Sequence, residues 1–240
     1  MVTAFLIRYV LAKGTKKEGL MTRLSSVVVE PKVAATASVI WLHGLGSNGH
    51  DFEALLPELG LPESAPVRFI FPHSPSIPVT INAGMVMPAW YDILEMGAGR
   101  KLNREQLVRS AQDIARMVDH EIACGIASER IILAGFSQGG AVAYHTALTY
   151  PKTLGGLLTL STYFPTADDI ALNPANQALP VEVMHGEFDP VVYPMMGYDA
   201  VKALKKLGLS PEWRVYPMEH QVCYEQIKDI AAWLRKILDL

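Results

Sequence analysis

The 240-residue chain has only two cysteines, Cys124 and Cys223. Neither forms a CxxC pair or stands near a second Cys or His at ligand spacing, so no zinc site is expected. Two thiols do not make a disulfide framework, and they suit a reducing, cytoplasmic compartment. An excess of charge is also missing. Lys and Arg total 21 against 24 Asp and Glu, a formal net charge of −3. A face built for phosphate backbones would raise the basic count, so no nucleic-acid partner is expected. Long apolar runs are absent as well. The stretch at residues 4–12 (AFLIRYVLA) is interrupted by Arg8, is too short to cross a bilayer and is followed by no A-x-A site. It implies no stable membrane anchor. Residues 1–20 read as a peripheral extension, or as the product of an upstream start codon, on a single domain spanning 21–240. A weak secretion signal is the second reading of that stretch. No internal repeat or low-complexity tract is visible.

Half of the residues are hydrophobic, enough for the core of one larger α/β domain. Strand-like and helix-like segments alternate. Residues 25–29 are β-branched and fit an edge strand. Residues 39–42 (VIWL), 67–71 (VRFIF), 131–134, 155–160 and 181–185 are short apolar runs of the kind found in buried parallel strands, and 213–216 alternate. Residues 51–59 have helical character. Leu107, Ala111, Ile114, Val118 and Ile122 repeat at helical spacing, and Asn103 with Gln106 resembles a capping box. Helices are also expected over 138–150, 198–207 and 224–238. The alternation implies a mostly parallel sheet with helices on both faces, and ligands bind outside the carboxyl ends of such strands. Residues 74–100 are the exception. Three prolines, three glycines and few charges there suggest an irregular binding loop or partial lid.

Gly135-Phe136-Ser137-Gln138-Gly139 follows one expected strand and opens one expected helix. The bare pentapeptide G-x-S-x-G is a weak signal, but that context makes it a nucleophile elbow. The turn is tight, the serine backbone is strained, and both glycines are needed to avoid collisions. Ser137 is therefore the candidate nucleophile. In such folds the acid and then the base follow the serine. Three histidines do so. His145 lies two turns into the elbow helix. His185 ends a strand and leaves its acid on the wrong side. His220 sits in a loop before the last helix and is the candidate base. Asp189, just past residues 181–185, is the candidate acid, ahead of Asp168, Asp169, Glu187 and Asp199. Its task is to orient His220 and stabilise the imidazolium. The oxyanion hole requires the amide of Gln138 and one from the loop after an earlier strand. His43-Gly44-Leu45-Gly46 follows residues 39–42, which makes Leu45 the second donor and His43 a hydrogen-bonded core histidine.

With these residues placed, the chain resembles the phospholipase/carboxylesterase family of α/β-hydrolases, which includes acyl-protein thioesterases and bacterial carboxylesterases. The resemblance rests on Trp41–Gly46, Pro78–Asn82 with Gly84 and Met87, Trp90-Tyr91-Asp92, Gly135–Gly140, His185-Gly186 with Asp189–Val192, and His220 with Val222-Cys223. It implies a nearly lidless serine esterase that needs no cofactor and hydrolyses small carboxylic esters or thioesters. A homodimer is a further expectation, since some members are dimers. It also implies that residues 74–92 line the acyl site. Trp90, Met87, Phe164 and Val192, with Met85, are the expected apolar substrate-binding residues, suited to short or medium acyl chains. One departure is Glu219, where the family usually has glycine before the catalytic histidine.

Overall fold

The computed structural model describes residues 24–97 and 100–240. The expectations for residues before Met21 lie outside the described residues. Seven strands form one sheet: β1 (Ser26–Val29), β2 (Ala37–Leu42), β3 (Val67–Pro72), β8 (Ile131–Phe136), β9 (Gly156–Leu160), β10 (Val181–Gly186) and β11 (Glu212–Tyr216). Their order across the sheet is β1-β3-β2-β8-β9-β10-β11. Only β1, at one edge, runs antiparallel, pairing Ser26 with Pro72 through Val29 with Phe69. The remaining pairs are parallel.

Alternation along the strands divides the core. Ile40 and Leu42 of β2, with Leu133 of β8, face one side of the sheet, where α2 (Arg104–Ala123), α3 (Gln138–Thr149) and α4 (Pro194–Lys206) supply Leu107, Ile114, Val142, Val201 and Leu204. Val39, Trp41, Ile132 and Ala134 face the other side, against Phe52 of α1 (His50–Glu53) and Ile227, Ile230 and Leu234 of α5 (Tyr224–Leu238). Successive side chains on a strand point to opposite faces, so a strand covered on both sides must be apolar throughout. β2 meets that demand except at Ser38, whose hydroxyl donates to Glu121 Oε2 at 2.6 Å, and all six of its residues are buried. The amphipathic α2 begins as its spacing predicts, with the Asn103 side chain accepting from the Gln106 amide at its N-terminus.

Three segments differ from expectation. Residues 51–59 form only the one-turn α1 and a 3-10 turn at Leu56–Leu59, because Pro57 lacks the amide that a continuing helix would use. The fourth helix starts at Pro194, four residues before the expected 198, since proline is well placed in a first turn. Residues 74–100 are not wholly irregular. Antiparallel β4 (Ser76–Val79) and β5 (Met85–Pro88) form one hairpin, and β6 (Ile93–Glu95) pairs with β7 (Lys101–Leu102) in another.

The chain leaves β2 toward β3 on one side and later returns to its other side with β8. That reversal opens a crevice beyond the carboxyl ends of β2 and β8, the usual ligand position in such sheets. Among the described residues, no helix is long and apolar enough to cross a membrane.

Leu133 is fully buried in the central strand β8. Leu133→Ala should lower stability by about 2–5 kcal/mol. In urea titrations the midpoint should fall with the slope unchanged. A loss below about 1 kcal/mol would contradict this account of the core.

Candidate active site

Ser137 stands between β8 and α3 with φ 52° and ψ −120°. A non-glycine residue there is strained, by about 1–3 kcal/mol, and its surroundings must hold it. Three contacts do. The Ser137 amide donates to Leu160 O at 2.9 Å, Thr162 Oγ1 donates to Ser137 O at 2.5 Å, and the Gly140 amide donates to the same oxygen at 3.0 Å. The two motif glycines are required by close approach. A Cβ on Gly135 would lie 2.6 Å from the Gly139 carbonyl, and one on Gly139 would lie 2.5 Å from His43 O.

The strand ends bring the other two groups to this serine. Asp189 follows β10, and His220 follows β11. His220 Nδ1–H donates to Asp189 Oδ2 at 2.7 Å, and Ser137 Oγ–H donates to His220 Nε2 at 2.9 Å. The tautomer follows from the carboxylate, which can only accept. The ring of Phe136 packs 4.7 Å from that of His220. Asp189 is buried at 2 % exposure, and its second oxygen accepts from the amides of Val191 (2.9 Å) and Val192 (2.8 Å). Burial alone would push the Asp189 carboxyl up. The hydrogen bond from His220 and the two amides outweigh it and hold the carboxyl below its ordinary value.

The other acids and histidines do different work. Asp169 pairs with Arg104 and Asp199 with Lys202, both on the surface. His145 hydrogen-bonds Thr166, away from the cleft. His185 lies buried beneath the acid, where its Nε2–H donates to Val192 O at 2.8 Å, and burial pushes its pKa down. His43 Nδ1–H donates to Gly44 O, and its Nε2 accepts from the Ser74 amide, which keeps the ring neutral in the core. Glu219 is exposed.

Leu45 and Gln138 both line the cleft beside Ser137. The Gln138 amide is the first of α3, where amides have no partner within the helix. The Leu45 amide has no hydrogen-bond acceptor among the described residues. Two unpartnered N–H groups thus flank the serine, one from each of the loops after β2 and β8. The cleft measures about 290 Å³.

Of the expected substrate-binding residues, none lines it. Trp90 is 1 % exposed, and its Nε1–H donates to His43 O at 2.9 Å, while its amide donates to Gln138 Oε1 at 2.8 Å. Gln138 Nε2 in turn donates to Tyr91 O at 2.6 Å. Trp90 is therefore a strut between the two amide-bearing loops. Phe164 stacks on Tyr144 in the core at 4.8 Å. Val192 is fully buried, with its backbone committed to Asp189 and His185. Met87 lies on β5 with its sulfur against Asn82, and Met85 is exposed on the same strand. The apolar walls come instead from Leu45, Ile81, Ile93, Met96, Phe136 and Val191, with Tyr163 and Arg100 among them. Arg100 was invisible to pattern reading. Its one cue was its place as a lone cation closing a stretch poor in charge.

Comparison with known proteins adds an independent finding. The phospholipase/carboxylesterase family model matches residues 24–238. Acyl-protein thioesterase 1 of Gibberella zeae is 37% identical over 227 residues, covering 90% of this chain and 97% of that protein. A probable carboxylesterase of Oryza sativa is 34% identical over 229 residues, covering 92% of this chain and 85% of that protein. The crystal structure of Zea mays acyl-protein thioesterase 2 superposes with a TM-score of 0.79 at 29% identity, covering 89% of this chain and 99% of that one.

The depressed Asp189 carboxyl has a consequence for stability. A group whose folded pKa lies below its unfolded value stabilises the fold above that unfolded value, about 4 for Asp, and ceases to do so as pH falls through the folded one. The stability gap between wild type and Asp189→Asn should therefore narrow between about pH 5 and pH 2 in urea titrations. A gap constant over that range would contradict the assignment.

Proposed function

We infer the reaction from two premises: this chain belongs to the phospholipase/carboxylesterase family, and Ser137, His220 and Asp189 form one continuous hydrogen-bonded relay. It is a serine hydrolase of carboxylic esters with the α/β-hydrolase fold. The observation that carries the reading is the relay itself, ending on a serine that faces a cleft between two unpartnered amides.

Ser137 Oγ attacks the ester carbonyl while His220 Nε2 takes its proton. The carbonyl oxygen becomes an oxyanion held by the amides of Leu45 and Gln138, whose positions Trp90 fixes before substrate arrives. Preorganised donors of this kind are worth about 10²–10³ in rate each. The tetrahedral centre collapses, His220 gives its proton to the departing alcohol, and the acyl group stays on Ser137. Water deprotonated by His220 then attacks the acyl-enzyme, and the acid leaves. Asp189, held by two amides and kept ionised, stabilises the imidazolium in both halves of the cycle.

A thioester passes through the same acyl-enzyme with a thiol as the leaving group. The names of the fungal and maize relatives favour including thioesters in the substrate class. The apolar walls support a short or medium acyl chain, and the partner is thus a small ester or thioester molecule. The reduced state expected of both cysteines supports a cytoplasmic setting.

Ser137→Ala should lower kcat on p-nitrophenyl butyrate by at least about 10³-fold, with the thermal midpoint of the protein retained. A series of p-nitrophenyl acyl lengths measured alongside reports the size of the acyl site. Undiminished turnover by the alanine variant would refute the assignment.

A further inference from the structure

Among the described residues, Arg100 is the one lysine or arginine on the cleft. It lines the same cleft as Ser137 and His220. Its guanidinium lies over the ring of Tyr163, 4.6 Å from the ring centroid. That phenol is itself fixed by a 2.7 Å hydrogen bond to Tyr91. Arg100 Nη2 donates to Val191 O at 2.7 Å, in the loop that also holds Asp189. These contacts orient the planar fork without neutralising it. Among the described residues Arg100 makes no ion pair, and its buried Nε has no hydrogen-bond partner. The one acid on the cleft, Asp51, accepts from Ser47 in the loop after β2.

A guanidinium held in place by an aromatic ring and one carbonyl, with no carboxylate paired to it, brings a full positive charge to the cleft, where it can recognise a carboxylate or phosphate. An apolar cleft does not need such a charge for neutral chains. We propose that Arg100 is a specificity-determining residue that selects esters or thioesters carrying an anionic group, a carboxylate or a phosphate, a few carbons from the scissile carbonyl and within the same cleft. Asp51 would repel that group from the β2 side and so favours one orientation of the substrate. This rests on the serine esterase reading, and it narrows the substrate class from neutral acyl esters to acidic ones.

The test uses the full chain and two pairs of substrates, each pair differing by one anionic group. On the acyl side, mono-p-nitrophenyl adipate is compared with p-nitrophenyl hexanoate. On the alcohol side, 1-butyrylglycerol 3-phosphate is compared with 1-butyrylglycerol. The readout is the ratio of kcat/KM, anionic over neutral, within each pair. Wild type should favour the anionic member of at least one pair by roughly ten-fold, as expected for one charge-assisted contact. The pair that responds tells whether a carboxylate on the acyl side or a phosphate on the alcohol side is recognised. Arg100→Gln should lower that ratio by about ten-fold, and Arg100→Lys should restore part of it. Should Arg100→Gln fail to fold, the wild-type ratio should still fall as NaCl is raised from 0.01 to about 1 M. A wild-type ratio near one in both pairs would overturn the proposal. So would a ratio unchanged in Arg100→Gln or indifferent to salt. Absence of turnover on all four substrates would instead be a failure of the esterase reading.

Discussion

The site depends on one strained residue. At φ 52° the backbone of Ser137 turns sharply enough to present Oγ above the end of β8 while α3 begins at the next amide. Nothing in the serine favours that conformation. It is imposed by Leu160 and Thr162, which hold the Ser137 amide and carbonyl, and by glycines that let β8, α3 and the loop after β2 approach within van der Waals distance. The central sheet supplies the rigidity for this. β2 and β8 are covered on both faces, and their ends cannot drift apart without breaking two core layers. The strain is a local cost offset by packing that spans the domain.

The same constraint explains Trp90. A large aromatic in a proline- and glycine-rich stretch reads as a substrate contact. Here it ties the carbonyl of His43 to the side chain of Gln138, so the loops that carry the Leu45 and Gln138 amides share one brace. The acid has a comparable support. The amides of Val191 and Val192 hold Asp189 from one side while His185 holds Val192 from below. Two of the residues expected to touch substrate, Trp90 and Val192, thus shape the site from behind its surface.

How legible this was depends on the range of the interactions. The elbow is a local signal, because its glycines answer to a turn five residues long. The chain order of Ser137, Asp189 and His220 could be read because each follows a strand whose apolar run is visible by itself. The fold then brings His220 within 2.7 Å of Asp189 and 2.9 Å of Ser137. Wall residues could not be read in the same way. Whether Phe164 faces the cleft or stacks on Tyr144 is decided by a contact between residues twenty apart in sequence. The β4–β5 hairpin was hidden by Pro78 and Pro88, which lie within its two strands without breaking them. Arg100 has only its place at the end of a stretch poor in charge to mark it, and its meaning comes from Tyr163 and Val191, both distant in the chain.

The central claim is that two preset amides flank the reactive serine. Its most direct test is a crystal structure of the protein after reaction with a small alkyl fluorophosphonate. The account predicts phosphorus bonded to Ser137 Oγ, with the phosphoryl oxygen about 2.7–3.1 Å from both the Leu45 and the Gln138 nitrogen and little movement of Trp90. A phosphoryl oxygen directed away from these amides, or an adduct on another residue, would contradict it.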